Sequence, residues 1–226
     1  MAFSRADILK FLTSIEPFRS LEKKDLETIA DAVREKTFGK GETVFNEGET
    51  ADSVWVLFKG RVQIFKYTSD GKPFAIEVLG PGELFGTLCR LGGNGRDYPC
   101  TAIASEKTSV FKILDRTFLE YYMKSPGFIR GVCSLCSERL KDVQDLRCQS
   151  QETVPYRLVT TLLRLYGVHG ETIPFTKREL SQLIGATLET TFRELKELQK
   201  KGCLSSSWGK IVIKKPELLR KAADKL

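Results

Sequence analysis

Histidine is nearly missing from this 226-residue chain: the one present, His169, lies in the last third, and residues 1–150 contain none. Metal-dependent oxygenases and isomerases built on small β-barrels need histidines and carboxylates clustered on their strands, so that enzyme class lacks its ligands here. Long apolar runs are missing as well. The longest, Val54 to Phe58, is far short of the ~20 residues that a bilayer-spanning helix requires, which excludes a helical membrane span. At the N-terminus, MAFSRADILKFLTSIEPF breaks its apolar residues with Arg5, Asp7 and Lys10. No continuous signal core forms, and a cytoplasmic protein is the expectation. Cysteine is absent before Cys89; the six present are scattered as far as Cys203 in a chain long enough to bury a core without staples, so they read as reduced thiols.

Charge is present but unevenly placed. Residues 1–150 carry 22 Lys and Arg against 21 Asp and Glu, whereas residues 151–226 carry 14 against 8. A nearly neutral module followed by a basic one suits a polyanionic partner, although a merely solvated basic surface would give the same counts. Motifs must decide between them.

Along the chain, Ser20 precedes LEKKDLETIADAV, whose apolar residues 21, 26, 29, 30 and 33 form a helical stripe with Ser20 as N-cap. From Lys36 to Ile113 the texture turns to short β-rich runs (TVFNE, SVWVLFKG, RVQIFKY, FAIEVL, SVFKI) with a glycine every few residues. Such punctuation predicts a closed antiparallel barrel or jelly roll. Asp70-Gly71 predicts a hairpin turn with positive φ at both central positions. Asp115 opens a short helix through Met123. Ser125-Pro126 then starts a long one, with Ile129, Val132, Cys136, Leu140, Val143 and Leu146 at spacings of three and four. That narrow stripe fits a two-helix seam, and hence a homodimer, or a cover for the barrel; one helix can do both over different turns. Thr153-Val154-Pro155 marks a break, and YRLVTTLLRLYG begins a new helix that ends at Gly167.

Residues 176–213 read as helix, tight turn, helix and hairpin. Thr176-Lys177-Arg178-Glu179 is a capping box. Gly185 closes the first helix and Thr187 caps the second, whose Leu188, Phe192, Leu195 and Leu198 are spaced for burial while Glu189, Thr190, Arg193 and Lys196 face outward. Gly202, the run CLSSS, the corner Trp208-Gly209-Lys210 and IVIKK make a two-stranded wing. Together these elements form a winged helix-turn-helix, whose second helix enters the DNA major groove. There an Arg bonds guanine O6 and N7, and a Glu accepts from cytosine N4. Glu189 and Arg193, four apart, are the natural readers and can also form an intrahelical ion pair. Thr176, Lys177, Arg178, Thr187, Leu188, Thr190, Lys196 and Lys210 complete the expected DNA-binding set, at helix starts, on the recognition helix and at the wing.

These residues make the chain similar, over nearly its full length, to the cAMP receptor protein and FNR family of bacterial transcription regulators. KGETVFNEGETADSVWVLFKGRVQIFKYTSDGKPFAIEVLGPGELFG resembles the family's glycine-cornered β-roll, and TKRELSQLIGATLETTFRELKELQKKG its DNA-binding helices. The resemblance implies an α+β chain: a β-roll (jelly-roll, cyclic-nucleotide-binding-like) sensory domain over 1–124, a long dimerisation helix and hinge over 125–152, and a winged helix-turn-helix over 153–226. In the family the Glu and Arg of the ETxxR core read a G·C pair in each half-site, a role that passes to Glu189 and Arg193. cAMP-responsive members place Arg just before that Glu, where this chain has Leu188; FNR-like members place Ser before the Arg, where it has Phe192.

The resemblance sets the effector pocket at Gly86, Thr87, Leu88, Cys89, Pro99, Cys100, Arg139 and Val143. Cyclic-nucleotide binders have a Glu where Thr87 stands, and Arg-Ser where Pro99-Cys100 stands, with Arg96 three residues early. A cyclic phosphate buried without its cation is costly, which argues against cAMP. YPCTAIAS looks instead like members that sense redox state, nitric oxide, haem or an organic ligand, and no cofactor is assigned. The N-terminal cysteines that hold the iron-sulfur cluster of FNR have no counterpart here. Cys133-Ser-Leu-Cys136 has the CxxC spacing but no second pair, so Cys136 reads as a small apolar seam residue. Cys89 and Cys100 leave a thiol switch open, and His169 reads as a surface turn residue. The expected function is a non-enzymatic homodimeric regulator that binds a pseudo-palindromic operator in double-stranded DNA under a small-molecule or redox effector, with RNA polymerase as a further partner. The alternative is a small-molecule or protein-binding module without DNA-binding activity.

Overall fold

The computed structural model describes residues 3–71, 73–86 and 97–223. Its first helix, α1 (Arg5–Thr13), is closed at its start by a reciprocal capping box between Ser4 and Asp7. The next, α2 (Lys23–Ala32), buries Leu26, Ile29 and Ala30, as the stripe predicts. Ser20 is not its cap. That residue ends a 3-10 turn, Phe18–Ser20, and its hydroxyl donates back to the Pro17 carbonyl at 2.7 Å, so Glu22 takes the N-cap position.

Among the described residues eight strands follow: β1 (Arg34–Phe38), β2 (Thr43–Phe45), β3 (Ser53–Lys59), β4 (Val62–Tyr67), β5 (Pro73–Leu79), β6 (Leu84–Phe85), β7 (Thr101–Ala104) and β8 (Thr108–Leu114). They form two four-stranded sheets, in the orders β1-β8-β3-β6 and β2-β7-β4-β5. Along β3, side chains alternate between two buried environments, because successive Cβ atoms point to opposite faces. Val54 and Val56 join Phe111 and Ile113 of β8 in a core shared with the helices, while Trp55 and Leu57 face the barrel interior with Phe45, Val62, Ile64 and Phe85. Burial on both faces explains why the run from Val54 to Phe58 is continuously apolar.

Two glycines are fixed by geometry. Gly60, between β3 and β4, has φ of +93°, and a Cβ there would lie 2.6 Å from Thr108 Oγ1. Gly86, with φ of +73°, lies against Tyr98 and Trp55. The β4–β5 connection differs from the expected turn. Among the described residues of this connection only Gly71 has positive φ (+77°), and its amide donates to the Thr68 carbonyl at 2.8 Å. A longer turn, Thr68–Gly71, with one left-handed residue at its end therefore replaces the two-residue hairpin.

Beyond the barrel lie α3 (Asp115–Lys124) and α4 (Pro126–Gln149), the latter capped by Ser125, whose hydroxyl accepts from the Phe128 amide at 3.3 Å. The first turns of α4 cover the barrel: Phe128 and Val132 are buried, with Leu135 and Cys136 packed beside them. Farther along, Leu140 and Val143 are 59% and 54% exposed. Two compact units result, residues 1–66 with 76–141, and residues 67–75 with 142–226.

Within the second unit, Thr153 caps α5 (Val154–His169), which starts before the expected Tyr156 and runs past Gly167. His169 thus ends a helix instead of sitting in a turn, and it is exposed. The remaining elements are β9 (Thr172–Ile173), α6 (Lys177–Leu183), α7 (Leu188–Lys200), β10 (Leu204–Ser207), β11 (Lys210–Ile213) and α8 (Pro216–Ala223). The wing has a third strand: β9 pairs with β11 through Ile211 and Ile173, giving the order β10-β11-β9.

Candidate nucleic-acid interface

Side-chain caps build this site. The Thr176 amide donates to Glu179 Oε2 at 2.6 Å, while the Glu179 amide donates to Thr176 Oγ1 at 3.1 Å. This reciprocal pair starts α6 as the sequence predicts. Gly185, with φ of +59°, makes the turn. Thr187 then caps α7, its hydroxyl accepting from the Thr190 amide at 3.1 Å. Both helices thus begin with an amide satisfied by a threonine hydroxyl.

The buried stripe of α7 is Thr191, Leu195 and Leu198. Thr191 is fully buried although polar, because its hydroxyl donates to the Thr187 carbonyl at 2.9 Å and is thereby satisfied within the helix. Leu188 and Phe192, expected in the core, are instead 51% and 50% exposed. They share the outer side with Glu189, Arg193 and Lys196, all exposed. Spacing alone put Phe192 inside and so missed a candidate site residue. Lys177 Nζ lies 4.2 Å from the centroid of the Phe192 ring, a cation–π contact between α6 and α7. The expected pairing of Arg193 with Glu189 is not formed. Arg193 Nε lies 3.2 Å from Oε1 of its neighbour Glu194, with the Arg193 side chain 69% exposed. So open an ion pair holds the guanidinium only loosely.

The other expected DNA-facing residues fall at the rim. Arg178 and Thr187 are exposed, Thr176, Lys177 and Thr190 half-buried. Across the wing, Ser207 opposes Lys210, and the exposed Lys210 follows Gly209 with φ of +75°. Trp208 at the tip is 92% exposed.

On the barrel side, the expected effector residues separate. Thr87, Leu88, Cys89 and Arg96 lie outside the described residues. Pro99 is exposed and Cys100 packs against the barrel interior. Arg139 reaches the strands: its Nε lies 2.8 Å from Glu77 Oε1 and its Nη2 donates to the Leu84 carbonyl, two residues from Gly86. Val143 falls in the second unit and not with these residues in the first. Beside Gly86 stands a hydrogen-bonded aromatic group that no local sequence pattern marks. Trp55 Nε1 donates to Tyr98 Oη at 3.0 Å, that hydroxyl donates to the Ser53 carbonyl at 2.8 Å, and the Tyr98 ring stacks on Phe45 at 3.7 Å.

Among the described residues no three His, Cys, Asp or Glu side chains gather to hold a metal ion. Cys136 packs on the helix-covered core, not on a free seam; burial pushes its thiol pKa up, against a weaker opposing pull from Arg139. Burial likewise raises Cys203, while Cys133 and Cys148 are exposed. Because the thiolate is the reactive form, brief iodoacetamide treatment near neutral pH is expected to label Cys133 and Cys148 first and Cys136 and Cys203 last. Peptide mass spectrometry reads the order; early labelling of Cys203 would contradict a buried start to the wing.

No helix among the described residues is long and apolar enough to cross a membrane. Residues 35–125 match the cyclic nucleotide-binding domain model, and residues 156–222 the Crp-like helix-turn-helix model. The cyclic AMP receptor protein of Thermus thermophilus is 24% identical over 209 residues, which cover 91% of this chain and 95% of that protein. The transcriptional activator protein FnrA of Stutzerimonas stutzeri is 28% identical over 197 residues, covering 83% and 80%. Among solved structures, FixK2 from Bradyrhizobium japonicum superposes with a TM-score of 0.76 at 23% identity, covering 84% of this chain and 96% of that one. A barrel with its covering helices, a capped helix pair and a wing, matched along the chain by both domain models and by whole-length relatives, place this protein in the CRP/FNR family of DNA-binding transcription regulators, which are not enzymes.

Proposed function

We propose that the protein acts as a homodimer on a pseudo-palindromic operator, with one α7 helix in the major groove of each half-site and Glu189 and Arg193 contacting a G·C pair. The observation that carries this is the outer side of α7, where Glu189, Arg193 and Lys196 stand exposed on a helix that the Thr187 hydroxyl caps at the Thr190 amide. Thr176, Lys177, Arg178, Thr187, Thr190 and Lys210 lie at helix starts, on the first turns and beside the wing tip, where phosphates pass; Leu188 contacts bases. Leu140 and Val143, exposed and three residues apart on α4, supply the dimer seam. Domain limits of 1–124, 125–152 and 153–226 divide the labour into sensing, dimerisation and DNA reading.

An effector acts at the end of the barrel near Gly86, Pro99 and Cys100, and Arg139 links that end to α4 through Glu77 and the Leu84 carbonyl. Pro99 and Cys100 stand where cyclic-nucleotide binders carry Arg-Ser, so the effector is haem, nitric oxide, a redox signal or an organic ligand rather than cAMP. Binding there shifts the population of dimer geometries competent for the operator. The protein works in the cytoplasm, where RNA polymerase is available as a partner.

Random-site selection on the purified full chain tests this proposal, followed by binding measured across a salt series. A palindromic consensus with a G·C pair in each half-site is expected. Six or more neutralised phosphates would weaken binding on the order of 10³-fold between about 50 and 200 mM salt. Absence of any consensus, together with a flat salt dependence, would favour a protein- or ligand-binding module instead.

A further inference from the structure

The outer side of α7 is not purely polar. Leu188 and Phe192 stand one turn apart, each about half exposed, along the edge between the buried Leu195 and the exposed charges of Glu189, Arg193 and Lys196. An exposed Leu–Phe pair on a helix costs apolar hydration unless a partner covers it, and the Lys177 ammonium lies 4.2 Å from the Phe192 ring centroid. A polyanionic partner suits the flanking cations. In a DNA major groove, the apolar feature that sets one base apart is the C5-methyl group of thymine.

We infer that Leu188 and Phe192 form a methyl-reading pair, each packing on a thymine C5-methyl beside the base pair bonded by Glu189 and Arg193, and so select thymine at flanking operator positions. This rests on the DNA reading proposed above. Hydrogen bonds fix the G·C pair, whereas apolar contact adds discrimination between thymine and cytosine, which differ in the major groove by that methyl as well as by O4 and N4.

Operator duplexes from the random-site selection are resynthesised with each thymine of one half-site replaced singly by uracil. This swap removes only the methyl and keeps every hydrogen-bonding group. Wild-type affinity is expected to fall about fourfold at one or two positions, the effect of one lost methyl burial. In Phe192→Ala or Leu188→Ala the thymine-to-uracil ratio at one of those positions returns to about one, whatever the overall affinity. Operator is still preferred to random duplex in the same variant, and the ratio at the other thymine position stays at about four, which separates a lost methyl contact from a general loss of binding or folding. If a consensus is found but no uracil substitution matters, or if the ratio survives unchanged in both variants, the methyl-reading assignment is wrong while DNA recognition stands. If no consensus emerges from the selection, the DNA reading itself has failed.

Discussion

Arg193→Ala is expected to weaken binding to the selected operator by about 1–3 kcal/mol per half-site and to flatten the base preference at one position. The size follows from what is removed: a guanidinium that bonds two acceptors of one guanine at once, in a site where alanine leaves both without a donor. Folding should hardly respond. Arg193 is largely exposed and its partner is only the adjacent Glu194 at 3.2 Å, so the ion pair removed is worth at most about 0–1 kcal/mol. Binding to operator and to random duplex, measured at one fixed salt concentration, separates the outcomes. Were Arg193 bonded to a phosphate instead of a base, its removal would lower both affinities alike and reduce the salt slope by about one per half-site. Equal losses on both duplexes would therefore move Arg193 from base reading to backbone positioning, and unchanged affinity would remove it from the interface.

Phe111→Ala should have the largest effect on stability, about 3–5 kcal/mol. This side chain is fully buried on β8, where its ring meets Phe3 at 5.8 Å, Phe11 at 5.8 Å and Phe58 at 5.2 Å between centroids. Truncation removes apolar burial and leaves a cavity between α1 and the sheet that neither rigid neighbour can close. Only one compact unit contains these residues, so the denaturation midpoint of that unit falls while the second keeps its own. Trp55, buried in the barrel beside Tyr98, reports the first unit by fluorescence, because the only other tryptophan, Trp208, is exposed in both states. A loss below about 1 kcal/mol would mean that the packing of α1 on β8 is not formed in solution.

How much of this was legible beforehand depends on the range over which each signal acts. Thr176 and Glu179 announce the start of α6 because a capping box is complete within four residues. Ser125 is read correctly because its cap bond is equally local, whereas Thr153, read as a break, caps α5 by accepting from the Tyr156 amide at 3.4 Å. Ser20 fails because a hydroxyl can bond backward as well as forward, and the chain around Pro17 takes it first. On α7, spacing defines a stripe but not its edges. Which of Leu188, Phe192, Leu195 and Leu198 is covered depends on where neighbouring elements end, and Thr191 could enter the core only because its own backbone satisfies it. The strand β9 has two residues and exists as a pairing partner of β11, so no local pattern marks it.

From residue order alone come the succession of helices and strands, the glycine corners, the caps, the basic second module and the outward Glu189, Arg193 and Lys196, since each depends on contacts within one or two turns or on alternation along a strand. Tertiary structure decided the rest. It joined Trp55 to Tyr98 across 43 residues and Arg139 to Leu84 across 55, and it set an apolar pair on a surface that spacing had assigned to the core. Such outcomes depend on chain closure and on which neighbour arrives to exclude water, and neither quantity is encoded in any short window of sequence.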